Sequence, residues 1–346
     1  MTRQVGETYR KGKITMNLKI HVAVALFLTC SLSPVLHAGS LTTEVVGMFP
    51  QDARELAYVN LRQARSLTWF RQFQKEVLPE QLPQFEQLLA LAGEDSKSHV
   101  EELAWALVPA ELPAGAAQNT AAGEVVVSLA IGQFGPESVA NYFQAQKRTV
   151  VKVRGYSLYP FGNGSGDGGF FFCFMDATTA ALGPRKELEK LLAVRYGEEQ
   201  SLLSNTEIAP LISQANGSAV LWSVLSAPYA RVAMQQFAPK ATQFPQTQQI
   251  VSALRGLTIE ISAGSDVQML FEAVCTSSDD ANLLAALLQA GLLYQGYQAG
   301  NSNQNLAAML GQAKVAPSGD RLDLTMTLTD DQVVGLIQRN TFAVHR

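Results

Sequence analysis

The stretch that most resembles a chemical device is glycine-rich and runs from Phe161 to Phe170, reading FGNGSGDGGF. Gly164, Gly166 and Gly169 satisfy the G-x-G-x-x-G spacing, in which bare backbone lets a pyrophosphate approach a helix N-terminus. Here the glycines run into Phe170-Phe171-Phe172-Cys173-Phe174, a strand pattern, so no helix end would face a phosphate. No Lys-Ser/Thr pair follows, which removes a P-loop. Asp167 fits a calcium-binding glycine–aspartate repeat, but such sites are built between stacked copies and the chain holds one. The stretch reads as a hairpin loop.

Lys147, Arg148, Lys152 and Arg154 form the one basic cluster beyond the N-terminal segment. With Thr149 to Tyr159 taken as a single strand, Lys152, Arg154 and Tyr156 share a face, a candidate ligand-binding surface for an anionic group. The same charges also suit the solvated side of a sheet, or an edge guarded against further pairing. The acidic pairs Asp279-Asp280 and Asp330-Asp331 stand before helical patterns, where carboxylates favour the free N–H groups and the positive end of the dipole. Beyond the N-terminal segment only His99 and His345 remain, and neither has a nucleophile pattern beside it. The G-x-S-x-G, H-E-x-x-H and C-x-x-C patterns are missing from the sequence. No catalytic, metal-ligating or cofactor-binding residue is assigned, and no cofactor is implied.

The clearest element is Arg255 to Val274. Leu257, Ile259 and Ile261 alternate with polar residues, a Ser-Ala-Gly-Ser-Asp turn follows, and Val267, Met269, Phe271 and Ala273 alternate again. This predicts an antiparallel hairpin with one buried face. Leu103, Trp105 and Leu107, then Val125, Val127, Leu129 and Ile131, predict an earlier copy whose turn is a loop from about Pro109 to Gly123. A short strand (Leu56 to Leu61; Ala219 to Val224) and two helices precede each hairpin, and a helix and further strands follow. Matched elements lie roughly 140 to 160 residues apart, too far for a solenoid period. The fold class expected is α+β: two tandem copies of a unit with an antiparallel sheet and packed helices, at residues 39–212 and 213–346.

With 346 residues, 47% hydrophobic and 16% charged, the chain can bury sizeable cores. A net charge of −4 opposes nucleic-acid binding, which needs a clustered basic face. Arg10, Lys11, Lys13 and Lys19 precede an apolar run from Ile20 to Leu36, ending at Ala38-Gly39, the parts of a secretory signal over residues 1–38. Met16 would give a signal of more usual length. Ser31, Ser33 and Pro34 interrupt the run, so no stable membrane span is expected once the signal is cleaved. Phe27, Leu28 and Thr29 before Cys30 do not suit a lipoprotein signal. Cys173 and Cys275 sit in apolar runs and are expected as buried free thiols.

Phe49-Pro50-Gln51-Asp52 followed by LAYVNLRQARSLTWF resembles a loosely defined family of uncharacterised secreted bacterial proteins with tandem α+β units. That resemblance brings no activity and no site residues. The function expected is that of an exported, periplasmic or secreted, non-catalytic envelope protein that binds or assembles with another envelope protein. The alternative is an enzyme with an unrecognised site in the cleft between the units. A deep cleft of converging acids or bases favours the enzyme, and an exposed apolar patch favours a protein partner.

Overall fold

A six-residue helix, α1 (Thr43–Met48), is the first element of the described residues, with the Thr42 hydroxyl accepting the Val45 N–H. The Phe49-Pro50-Gln51-Asp52 motif after it is a structural clamp. Phe49 is fully buried and its carbonyl accepts the Leu202 N–H, while Asp52 pairs with Lys190 at 2.6 Å. β1 (Glu55–Asn60) leads into α2 (Leu61–Ala64), α3 (Phe70–Glu76) and α4 (Gln81–Leu91). The strands β2 (Val100–Pro109) and β3 (Glu124–Gly132) come next, then α5 (Pro136–Ala145). β4 (Val151–Val153), β5 (Tyr156–Phe161), β6 (Phe170–Phe174) and β7 (Thr179–Pro184) follow, and α6 (Arg185–Arg195) packs behind them. A 3-10 turn and α7 (Ala209–Ala215) connect to β8 (Leu221–Ser226), α8 (Ala227–Phe237) and α9 (Pro245–Ser252). The chain closes with β9 (Leu254–Ala263), β10 (Val267–Cys275), α10 (Ser278–Gly300), α11 (Gln304–Gln312), β11 (Lys314–Ser318), β12 (Arg321–Leu328) and α12 (Asp330–Gln338).

These elements come from a computed structural model that describes residues 40–93, 100–110, 123–162, 169–215, 217, 219–237, 245–264, 266–300 and 304–338. All of them belong to the compact unit Ala38–Arg346, and Met1–His37 is a separate unit. The predicted signal therefore lies outside the described residues, as do His99, His345, Gly164, Gly166 and Asp167.

The fold is α+β. Among the described residues twelve strands make one sheet in the order β11-β12-β10-β9-β8-β1-β2-β3-β7-β6-β5-β4, and each of these pairings is antiparallel. Running outward from the centre, β1-β2-β3-β7-β6 on one side has the same connection order as β8-β9-β10-β12-β11 on the other. The two halves meet at a seam, where β1 and β8 pair from Glu55↔Leu225 to Val59↔Leu221. The sheet does not stop between them.

Alternation decides what each face carries. Leu257, Ile259, Ile261, Met269 and Phe271 enter a core shared with Leu103, Trp105 and Leu107. Glu260, Ser262, Gln268 and Glu272 turn to the opposite side, where Gln268 is exposed and the two glutamates are half-buried. There Arg321 pairs with Glu272 and also donates to Gln214 at 2.7 Å. The hairpin at 254–275 thus buries its main apolar face as expected, but its other face is partly covered as well, with Thr258 buried and Val274 packed against a second core. The earlier hairpin is packed on both faces. Val127 and Leu129 enter a second core, with Ala104 and Ala106, on the face opposite Trp105. Register explains how both faces pack: Ala104 stands across from Leu129, Ala106 from Val127, and Trp105 from Ser128. Each large side chain meets a small partner, so both faces close without overpacking.

One further expectation changes, and one strand is added. Thr149 to Tyr159 is a tight hairpin rather than one strand. Arg154 (φ 46°) and Gly155 (φ 86°) occupy its two-residue turn, whose left-handed backbone matches the strand twist. Lys314 to Ser318 forms an edge strand, β11, where the sequence signal was lost to Pro317. An edge strand tolerates proline because its outer N–H has no ladder partner. The acidic pairs lie in the first turns of α10 and α12, as expected. At α12 the capping box is closed in both directions: Gln332 Oε1 accepts the Thr329 N–H at 2.9 Å, and Thr329 Oγ1 accepts the Gln332 N–H at 3.4 Å.

Cys173 and Cys275 are free and buried, one in each core and so on opposite faces of the sheet. Burial pushes their thiols up to about 12 and about 11, which leaves little thiolate at neutral pH.

Candidate functional site

The turn at Arg154 separates the residues that the sequence placed on one basic face. Lys152 stands across from Ser157 and Val153 from Tyr156, so Lys152 and Tyr156 point to opposite sides of the hairpin. Arg154 is held by Glu198 at 2.5 Å, and its carbonyl accepts the Tyr196 hydroxyl at 3.2 Å. Tyr156 packs against the second core, with its ring 6.4 Å from that of Tyr196. The three side chains do not converge on a common point.

A better candidate lies at the seam. On one face, Tyr58 and Trp222 are cross-strand partners, both fully buried, with rings stacked 5.6 Å apart. On the other face the partners at the same level are Ala57 and Ser223, among the smallest side chains available. Helices α3 and α4 close over this face, and the missing volume becomes a cavity of about 310 Å³. Its walls are apolar, with Trp105, Leu221 and Ile259 prominent. Its mouth carries Lys75, Glu76 and Glu80, from the end of α3 and the turn that follows. Near the floor Glu55, half-buried, accepts a hydrogen bond from the Ser223 hydroxyl at 2.8 Å. Gln81, from the first turn of α4, also lines the cavity, and its buried Oε1 has no hydrogen-bond partner.

Burial is the main cause that raises the Glu55 pKa from its ordinary value of 4.5; the Ser223 hydrogen bond opposes it, and the Glu124 carboxylate adds to it. Such a carboxyl contributes stability that is fully present below about pH 4.5 and is lost as pH rises through the folded-state value. Glu55→Gln keeps an acceptor for Ser223 and cannot ionise. It is therefore expected to be more stable than the wild type at neutral pH, with the advantage shrinking toward pH 4.5. Glu86, Glu102 and Glu260 are shifted the same way, so the difference between the two proteins isolates Glu55. Urea melts across pH 4.5 to 8 read it, and parallel pH slopes would exclude a buried carboxyl at this position.

A larger groove of about 510 Å³ lies between α1 and α7, lined by Val46, Thr206 and Ile212 among others. It carries no ionisable side chain. Among the described residues no group of three or more His, Cys, Asp or Glu side chains is placed to hold a metal ion, and no helix is long and apolar enough to cross a membrane.

Sequence reasoning missed the seam cavity. Glu55 reads as an ordinary polar residue before a strand, and only the pairing of β1 with β8 sets it beside Ser223. A weak signal existed in Ala57 and Ser223, small residues within otherwise large apolar strands.

No family model and no curated protein matches the chain. Among solved structures, crystal form I of TP0453 matches with a TM-score of 0.47 at 10% identity, over 86% of this chain and 97% of that one. Crystal form III of TP0453 matches with a TM-score of 0.45 at 11% identity, over 84% and 96%. These are distant likenesses of chain path.

Proposed function

We propose that this chain is an exported, non-catalytic binding protein of the cell envelope that holds a small, largely apolar ligand in the seam cavity. The observation that carries this reading is the cavity itself: apolar walls around a few polar groups, at the lower end of the roughly 300–1,000 Å³ typical of small-molecule sites. Export is supported by the basic, apolar and small-residue pattern that ends at Ala38. An enzyme in the same place would use Glu55 as its acid or base. The apolar walls favour retention of a ligand over chemistry on it.

A neutral apolar probe, 1-octanol, is expected to bind the mature chain, read by ligand-observed saturation transfer. Ala57→Leu fills the floor of the cavity and is expected to weaken binding at least tenfold. Ser223→Val serves the same purpose if Ala57→Leu fails to fold. Binding that survives both substitutions would place the ligand elsewhere.

A second reading, a protein partner, has its own observation. From Ala281 to Ala313 the sequence holds no charged residue, and α10 within that run exposes Leu283, Leu293, Tyr294 and Tyr297. Interface cores have this composition, with aromatic residues enriched and charges depleted.

A further inference from the structure

We propose that the seam cavity selects an alkylammonium ligand, a primary amine on an apolar chain, whose ammonium sits on the Glu55 carboxylate while the chain lies against Trp105, Leu221 and Ile259. This inference rests on the reading of the cavity as a binding site, and adds the class of ligand.

Charge and hydrogen-bonding capacity both point to a cation. Three carboxyl groups line the cavity, Glu55 on the floor and Glu76 and Glu80 at the mouth, against one ammonium, Lys75, which lies 3.3 Å from Glu76. Glu124, from β3 on the same face, adds a further carboxylate close enough to act on Glu55. An anionic ligand would meet this field at a cost, and a cationic one is drawn by it. An ammonium brings three donors and no acceptor. The cavity offers acceptors to match: the Glu55 carboxyl, the Gln81 Oε1 that has no partner, and the Ser223 oxygen, whose own proton is given to Glu55. A buried acceptor without a partner is costly, and an incoming N–H removes that cost.

The pairing has a proton balance. In the empty cavity burial favours the neutral acid at Glu55, with Ser223 as its hydrogen-bond partner and Glu124, Glu76, Glu80 and Lys75 as the surrounding charges. The arriving ammonium keeps its three protons, and the Glu55 O–H bond breaks to leave the carboxylate. The displaced proton goes to solvent. Amine uptake is thus coupled to release of up to one proton per site, whereas an alcohol of the same chain length releases none.

Calorimetry with n-octylammonium, 1-octanol and octanoate on the mature chain at pH 7 tests this. Octylammonium is expected to bind at least tenfold more tightly than octanol, and octanoate most weakly. Repeating the amine titration at pH 4.5, where a carboxyl raised above its ordinary value is mostly protonated, in two buffers of different ionisation enthalpy should show proton release. Glu55→Gln, with its fold verified by a urea melt, should erase the amine preference and the proton release, bringing the octylammonium and octanol affinities of that variant within about threefold of each other. Gln81→Leu should weaken the amine more than the alcohol. Octanol binding as tightly as octylammonium, or an amine preference that survives Glu55→Gln, would overturn the ligand class and leave the cavity reading standing. Binding of none of the three probes would overturn both.

Discussion

Phe271→Asp is expected to abolish folding of the whole Ala38–Arg346 unit. Phe271 is 6% exposed in the larger core, opposite Ile259 on one side and Leu324 on the other. Losing a buried phenylalanine costs about 3–5 kcal/mol, and an unpaired buried carboxylate adds several more. The sum reaches the roughly 5–15 kcal/mol by which a typical domain is stable. Because β8 pairs with β1, loss of the second half strips one edge of the first, and the collapse should not stop at the seam. The comparison is Glu260→Lys, one strand over and on the opposite face. Burial first, then the nearby Glu272 and Asp323, raise the Glu260 carboxyl, so a lysine there relieves like-charge repulsion. Its effect should stay within about 0.5 kcal/mol. Circular dichroism and denaturant melts of both variants decide the matter. A larger loss from Glu260→Lys would mean that the face is covered, and a surviving folded half in Phe271→Asp would mean that the halves are independent.

Trp222→Ala should be the next most damaging change. The indole is fully buried, stacks on Tyr58 and belongs to the second core, where it fills the face of the seam opposite the cavity. Truncation costs about 3–5 kcal/mol through lost burial and the void left behind, plus about 0.5–1.5 kcal/mol for the aromatic pair. Trp222→Phe keeps the stacking and should recover more than half of that loss. Because Tyr58 and Trp222 come from different halves, the Tyr58→Ala and Trp222→Ala effects should be non-additive, read as a coupling energy in a double-mutant cycle of denaturant midpoints. Strict additivity would show that the seam does not couple the halves through this pair.

Much of this architecture was legible in local pattern, because strands with one wet face announce themselves by alternation. The hairpin at 254–275 and the helix starts at Asp279 and Asp330 depend on neighbours a few residues away, and a reader of sequence has those neighbours in view. What failed depended on partners far along the chain. Leu129 reads as facing the same core as Leu103, yet it packs on the other side, because α1, α6 and α7 return to cover that face. Arg154 reads as a strand residue, since nothing local except Gly155 marks the left-handed turn. The basic face dissolved for that reason. The seam cavity was out of reach because its polar pair, Glu55 and Ser223, is separated by 168 positions.

The central place of β1 in the sheet has a consequence for synthesis. Its far-side partner, β8, is made roughly 160 residues later. At about 5–20 residues per second, that leaves β1 with an open hydrogen-bonding edge for about 8–32 s after it emerges. The edge carries Tyr58 and Val59, both buried once the sheet is complete. An exposed apolar edge of this kind recruits other strands, including the β1 of a neighbouring nascent chain. The time of greatest aggregation risk therefore falls midway through production, before Leu221–Ser226 is available, and a chain cut off ahead of that strand would carry the hazard permanently.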